Sequence, residues 1–188
     1  LLTDHDSTDN PIAFAEKLLS LLDQGRFVAT YKFAVLLALV DACLASTLPG
    51  GEAPREVTAG QLAERVVELY WRHTAPFDTR TGLAAAGAVV DPLVLRQNNG
   101  GQAEIVSLIR RFRERAGADP SLPLGRARID EPEAFASLVR SVEWKLVEMP
   151  LPRLQLVGDR LDAFVYEIGW DERVTRAQFE SPGFDSRL

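Results

Sequence analysis

Histidine, cysteine and methionine are nearly missing from this chain: its 188 residues include 2 His, 1 Cys and 1 Met. A zinc or other His-ligated metal site needs converging imidazoles, thiolates or carboxylates. His5 lies in an acidic N-terminal stretch and His73 closes an expected helix, and neither has a His or Cys three or four residues further on. No metal site is therefore expected in this segment. The single Cys43 excludes an intrachain disulfide and fits a reducing cytoplasm. Within the most apolar helix it is expected as a small buried hydrophobe.

Long apolar runs are missing as well. A membrane span needs roughly 18 or more consecutive apolar residues. The stretch from Phe33 to Ala45 comes nearest, but it is too short and Asp41 interrupts it. The N-terminus is acidic, has no initiating Met and lacks the basic-then-apolar layout of a secretion signal, so the chain is expected to be a cytoplasmic piece of something longer. A general surplus of positive charge is absent too. The formal net charge of −6 argues against a protein that coats nucleic acid. The charge is nevertheless uneven. Between Arg96 and Arg128 seven arginines (Arg96, Arg110, Arg111, Arg113, Arg115, Arg126, Arg128) stand against Glu104, Glu114 and Asp119, a local surplus of +4.

Helical periodicity is plentiful. Asn10-Pro11 is an N-cap with proline at the first helical position, followed by Ile12, Ala15, Leu18, Leu19 and Leu22 and a stop at Gly25. A second helix begins near Thr30 and is apolar nearly all round, so it is expected at the centre of the core, covered on most sides. Thr58-Ala-Gly-Gln61 is a capping box opening a third helix through Trp71, with Leu62, Val66, Val67 and Tyr70 inward. A short helix over 83–90 and a strand over 93–95 are expected in the stretch from Thr74 to Asn99.

A fourth helix opens at Gly100-Gly101-Gln102, carries Ile105, Leu108, Ile109, Phe112 and Ala116, and stops at Gly117. A proline-containing loop then leads to Asp130-Glu131-Pro132-Glu133, a fifth helix start with acids at the positive end of the dipole. Phe135, Leu138, Val139, Val142, Leu146 and Met149 form its inner stripe. Leu154–Val157 and Ala163–Ile168 read as a β-hairpin about Gly158-Asp159. The expected fold is mainly α, a helical domain with a C-terminal β-hairpin, compatible with a winged-helix-like arrangement. Residues 1–10 are expected as a mobile acidic tail, 11–150 as the helical domain, and 151–188 as hairpin and tail packed on it.

No nucleophile elbow, phosphate-binding P-loop or dinucleotide fingerprint occurs. Glu143-Trp144-Lys145 matches half of a metal-dependent nuclease motif, in which the acid binds metal and the lysine steadies the attacking water. That chemistry needs a strand, whereas on a helix the two side chains diverge by about 200°. Two helix openings suit anions better. Lys32 sits in the first turn of the second helix, beside Tyr31, where helix-end N–H groups and a cation together can hold a phosphate. The alternative is a lysine whose stem runs over the core while its head meets water or an acid. At the second opening Arg96 supplies charge, while Asn98, Asn99 and Gln102 supply amides able to meet phosphates or base edges. A capped polar loop is the other account. Arg110 to Arg115 are expected to surround a solvated helix face. Trp144, opposite the apolar stripe, is either covered by another element or part of an interface.

Several strings together carry a resemblance: Ala-Thr-Tyr-Lys-Phe-Ala-Val-Leu-Leu-Ala-Leu (29–39), Leu-Ala-Glu-Arg-Val-Val-Glu-Leu-Tyr-Trp (62–71), Leu-Arg-Gln-Asn (95–98), Gly-Gln-Ala-Glu-Ile-Val (101–106) and Glu-Trp-Lys-Leu-Val-Glu-Met-Pro-Leu-Pro-Arg-Leu-Gln (143–155). They resemble the region preceding the nuclease module in bacterial HNH endonuclease-type proteins of actinobacterial kind, over most of residues 15–180. The stretch from Phe77 to Asp91 departs from it by being longer. The resemblance implies a non-catalytic N-terminal domain for DNA recognition or scaffolding, in restriction or defence. The divalent metal and the His-Asn-His site would belong to a downstream nuclease module, so no catalytic residue carries over. Duplex DNA and that module are the implied partners; a homodimer is a further expected partner, and no membrane is expected. A helical interaction or dimerisation module without DNA contact is the rival reading, its partner meeting Trp144 or the arginine-rich helix, and a self-sufficient nuclease using Glu143 and Lys145 is a third.

Overall fold

The computed structural model describes residues 11–24, 30–45, 54–75, 103–117, 119, 121–157, 160–161 and 163–188. The helix and strand expected over 83–90 and 93–95, and the acidic tail 1–10, lie outside the described residues. The described part is mainly helical. Its elements are α1 (Pro11–Gln24), α2 (Tyr31–Ala45), α3 (Ala59–Trp71), α4 (Glu104–Ala116), α5 (Leu124–Asp130), α6 (Pro132–Glu148), β1 (Leu156–Val157), β2 (Arg160–Leu161) and the single-turn α7 (Arg176–Phe179). Short 3-10 turns follow α3 and α6.

The centre of the core is α3, not α2. Leu62, Ala63, Val66 and Val67 are fully buried, and α3 packs against α2, α4 and α6. Complete burial of a large apolar side chain contributes about 1.5–3 kcal/mol. The start of α3 is the capping box expected from sequence: Gln61 N donates to Thr58 Oγ1 at 3.2 Å and Thr58 N to Gln61 Oε1 at 2.8 Å. Helix α2 lies on one side of α3 and buries only Ala34, Val35, Ala38 and Leu39. Phe33, Leu37, Val40 and Leu44 are 44–70% exposed along its other side. A uniformly apolar helix permits cover all round, but covering it takes neighbours, and a single packed face uses only part of its circumference. Cys43, expected buried, is half-buried on the flank of that exposed stripe.

Helix α4 packs on α6 and α3 through Ile105, Val106, Ile109 and Phe112. The Phe112 ring bridges Trp71 (5.9 Å) and Phe135 (5.8 Å). Gly117 ends α4 at φ 150°, a conformation that favours glycine, and its N–H reaches Arg113 O at 2.9 Å. The loop expected before α6 contains a helix of its own, α5. Helix α6 is buried on two sides, because Trp144, opposite its main stripe, is covered by Phe179 of α7 at 5.3 Å. Trp144 is therefore not an exposed interface residue. Met149, expected on the inner stripe, is 45% exposed.

The hairpin expected from Leu154–Val157 and Ala163–Ile168 does not form between those runs. Pairing is confined to two residues on each side, Leu156 with Leu161 and Val157 with Arg160. The run 163–168 is held instead by one buried side chain. Gln155 donates from Nε2 to Tyr166 O at 2.7 Å and accepts from Val165 N at 2.6 Å, doing with its amide what a ladder would do with backbone. Burial pushes the Tyr166 phenol far above its usual range, and its hydroxyl donates to Leu151 O at 2.8 Å. Beyond it the chain returns to α3. Leu188 N donates to Val57 O at 2.8 Å, Ala59 N to Ser186 O at 2.8 Å, and Gly169 N to Arg187 O at 2.9 Å.

Candidate functional site

Glu143 and Lys145 are separated by the structure as the helical reading requires. The Glu143 carboxylate is buried at the start of α3, where it accepts from Arg140 Nη1 at 2.8 Å and Ser186 Oγ at 2.8 Å. It lies so close that a Cβ on Gly60 would sit 3.5 Å from it. A carboxylate at a helix N-terminus is stabilised by the dipole. Lys145 turns elsewhere, to Glu104 at 3.1 Å and Glu148 at 3.0 Å. Burial alone would lower its pKa, but the two carboxylates outweigh burial and hold the ammonium above its ordinary range. Both residues are occupied by the fold. Among the described residues no group of three or more His, Cys, Asp or Glu could hold a metal.

The arginine-rich region is similarly engaged. Arg110 meets Glu114 at 3.5 Å, Arg115 meets Glu131 at 3.0 Å, Arg126 meets Asp130 at 2.7 Å, and Arg128 pairs with Glu64 on α3. Arg113 departs from the solvated face expected of it. It is buried, stacked 3.9 Å over the Trp71 ring, and donates to Trp71 O at 2.8 Å and Thr74 Oγ1 at 3.2 Å. Burial lowers its pKa, while Asp119 acts the other way. It satisfies the Trp71 carbonyl at the end of α3 from within the core. Arg111 is exposed and contacts Ser107 O at 3.4 Å.

Tyr31 and Lys32 stand together in the first turn of α2, both half-buried. Tyr31 packs against the core. Burial lowers the Lys32 pKa. The remaining candidates, Arg96, Asn98, Asn99 and Gln102, lie outside the described residues. Residues not singled out from sequence join the Tyr31–Lys32 end. Helices α2 and α3 run antiparallel, so Thr30 meets Tyr70, their hydroxyls 2.8 Å apart, while Asp41 meets Arg65 at 2.7 Å further along. The Tyr70 ring in turn lies edge-on to His73, with centroids 6.2 Å apart. Arg72 and His73, both exposed, follow directly on α3. The signal that could have found them is a complementary pair: a hydroxyl before α2 and a Tyr at the far end of α3.

Two clefts border α2. One, of about 630 Å³, runs between its C-terminal half and α3, with Leu44 on one wall and Asp41, Glu64 and Glu68 around Arg65. The other, of about 550 Å³, lies between Cys43, Tyr166 and the segment 185–188. In the first, Arg65 is held by Asp41 and by Glu68. No protein-family model matches the chain, and neither a curated protein nor a solved structure matches it. Among the described residues no helix is long and apolar enough to cross a membrane.

Proposed function

We propose that this chain is the non-catalytic N-terminal DNA-recognition or scaffold domain of an HNH-type endonuclease serving restriction or defence. The strings that resemble that group suggest the assignment, and one structural observation carries the DNA-contacting part of it. Lys32 is a cation placed in the positive first turn of a helix and partly withdrawn from water. A cation and the N–H groups of a helix start can together hold a phosphate. Tyr31 precedes it on the helix, and Arg96, Asn98, Asn99 and Gln102, which lie outside the described residues, are the other candidates that the sequence offers for such contacts. The divalent metal belongs to the downstream nuclease module, consistent with Glu143 and Lys145 being absorbed by the fold. This reading rests on helix ends and not on a wing, since β1 and β2 are two residues each.

Titration of a labelled duplex by fluorescence anisotropy tests it. Binding is expected at low salt and should weaken steeply as salt rises, because phosphate contacts release counterions. No binding at low salt removes the DNA part of the proposal. Plasmid cleavage by this chain with magnesium would overturn its non-catalytic character. The rival reading, a helical interaction or dimerisation module, draws on the exposed stripe Phe33, Leu37, Val40 and Leu44. Exposed apolar rows of this kind mark protein contacts when they are contiguous.

A further inference from the structure

The stretch 169–185 borders a cleft of about 520 Å³, within the range of small-molecule sites. Its apolar wall is aromatic. The Trp170 and Phe184 rings lie with centroids 6.4 Å apart, Phe184 meets Phe179 at 5.2 Å, and Val174 lines the same cleft. The backbone on both sides of Trp170 is pinned, by Gly169 N to Arg187 O at 2.9 Å and by Val174 N to Asp171 O at 2.9 Å. Trp170 is held there at 9% exposure, and its indole Nε1–H is closed off from water with no acceptor. A buried donor without a partner has lost its hydration and gained nothing in return, and native folds rarely keep one. Trp71, also buried, shows the usual arrangement, since its Nε1 donates to Leu122 O at 2.9 Å.

The polar groups of the cleft also lean toward donation. Arg173 is exposed and makes no ion pair among the described residues. Gln178 has its Oε1 occupied by Thr175 N and Thr175 Oγ1, both at 2.8 Å, which leaves its Nε2 hydrogens uncommitted. The two acids of the lining are engaged. Asp185 holds Arg187 Nε at 2.8 and 2.7 Å from its two oxygens, and Asp171 turns one oxygen to the Arg173 N–H at 2.7 Å. An orphan N–H, a guanidinium and an amide are thus the donors that line one cleft with an aromatic wall.

We infer that this cleft is a binding site for a small carboxylate with an aromatic or branched apolar body. The apolar body lies against Trp170 and Phe184. The carboxylate takes the Arg173 guanidinium and, as the indole tilts toward the cleft it lines, the Trp170 N–H. The orphan donor sets the chemistry, because it asks for an acceptor oxygen, and the unpaired guanidinium of the same cleft asks for a charged one. A cation of the same shape would leave the indole N–H unsatisfied and meet Arg173 with like charge. The site stands apart from the DNA reading and does not depend on it.

The test follows the indole N–H signals of the isotope-labelled full chain by NMR. The chain has 3 Trp, and the Trp170 signal is the one with through-space contacts to Phe184. Titration with sodium phenylacetate should move that signal downfield and saturably, as a donor gains a charged acceptor. Benzylamine at the same concentration should leave it in place. Arg173→Ala, a change at an exposed side chain, should weaken phenylacetate binding by about tenfold or more. Trp170→Phe, which keeps an aromatic wall and removes the N–H, should weaken it as well. A signal unmoved at millimolar phenylacetate, an equal response to benzylamine, or unchanged affinity in Arg173→Ala overturns the inference. So does a nuclear Overhauser contact from the Trp170 N–H to a held water that phenylacetate does not displace, because water is then its partner.

Discussion

Glu143 shows how a single side chain can look catalytic and be structural. Its carboxylate answers a guanidinium, a hydroxyl and the start of α3 at once. Removing it leaves Arg140 with Phe179 O at 2.6 Å and its ring contact with Phe179, but strips Ser186 of its acceptor in a part-buried setting. Glu143→Ala should therefore cost about 2–4 kcal/mol in chemical denaturation, since breaking a buried charged contact leaves uncompensated groups. Lys145→Ala, which removes two partly exposed pairs, should cost about 1 kcal/mol or less. A catalytic pair would show the reverse pattern, with activity abolished and stability kept. If Glu143→Ala proves as stable as the wild type, the structural role assigned to it fails. Arg113 behaves alike with the opposite sign: a position that a helical wheel places toward water is drawn inward by the Trp71 ring and carbonyl.

Among the elements, the segment from Gly169 to Leu188 folds back closely on itself. A Cβ at Gly169 would stand 3.0 Å from Arg187 O, against backbone that cannot easily yield. Gly169→Ala should destabilise the chain by about 1–3 kcal/mol, as overpacking does. It should also speed hydrogen exchange at the Leu188 and Ala59 amides, which bond across the same segment, and unchanged exchange there would contradict the role given to Gly169. A comparison with α3 explains what was legible. The Thr58 capping box is complete within four residues, so its chemistry is printed in consecutive letters. The starts of α2 and α6 and the stop at Gly117 are local in the same way. The run 163–168 has the letters of a strand, but whether it pairs with backbone or with Gln155 depends on a partner some ten residues away. Helix α7 escapes a periodicity search because a single turn has no period. The candidate site was half legible for the same reason: Tyr31 and Lys32 stand at a visible helix start, while Tyr70 meets Thr30 only through the pairing of α2 with α3.

At the level of the whole molecule, hydropathy read residue by residue misjudged which helix sits at the middle. Helix α2 is the more apolar, yet α3, with its polar positions among buried ones, touches more of the fold. The double variant Leu37→Ser, Leu44→Ser should change stability by no more than about 0.5 kcal/mol, because both side chains already meet water. Leu62→Ala should cost about 2–5 kcal/mol. Sedimentation velocity on the same proteins addresses the rival function. A wild type that self-associates through the α2 stripe should become monomeric in the double variant, and a wild type that is monomeric at every concentration removes the homodimer. The return of the chain to α3 carries a consequence for synthesis. The amides of Val57 and Ala59 bond to Leu188 and Ser186, and the Glu143 carboxylate takes its hydroxyl partner from Ser186. During vectorial synthesis the helices can collapse on one another by short-range contacts, but the start of the central helix waits for residues 186–188 to leave the ribosome. A loop of that length closes late, so a nascent chain stalled before Ser186 would expose an unfinished seam.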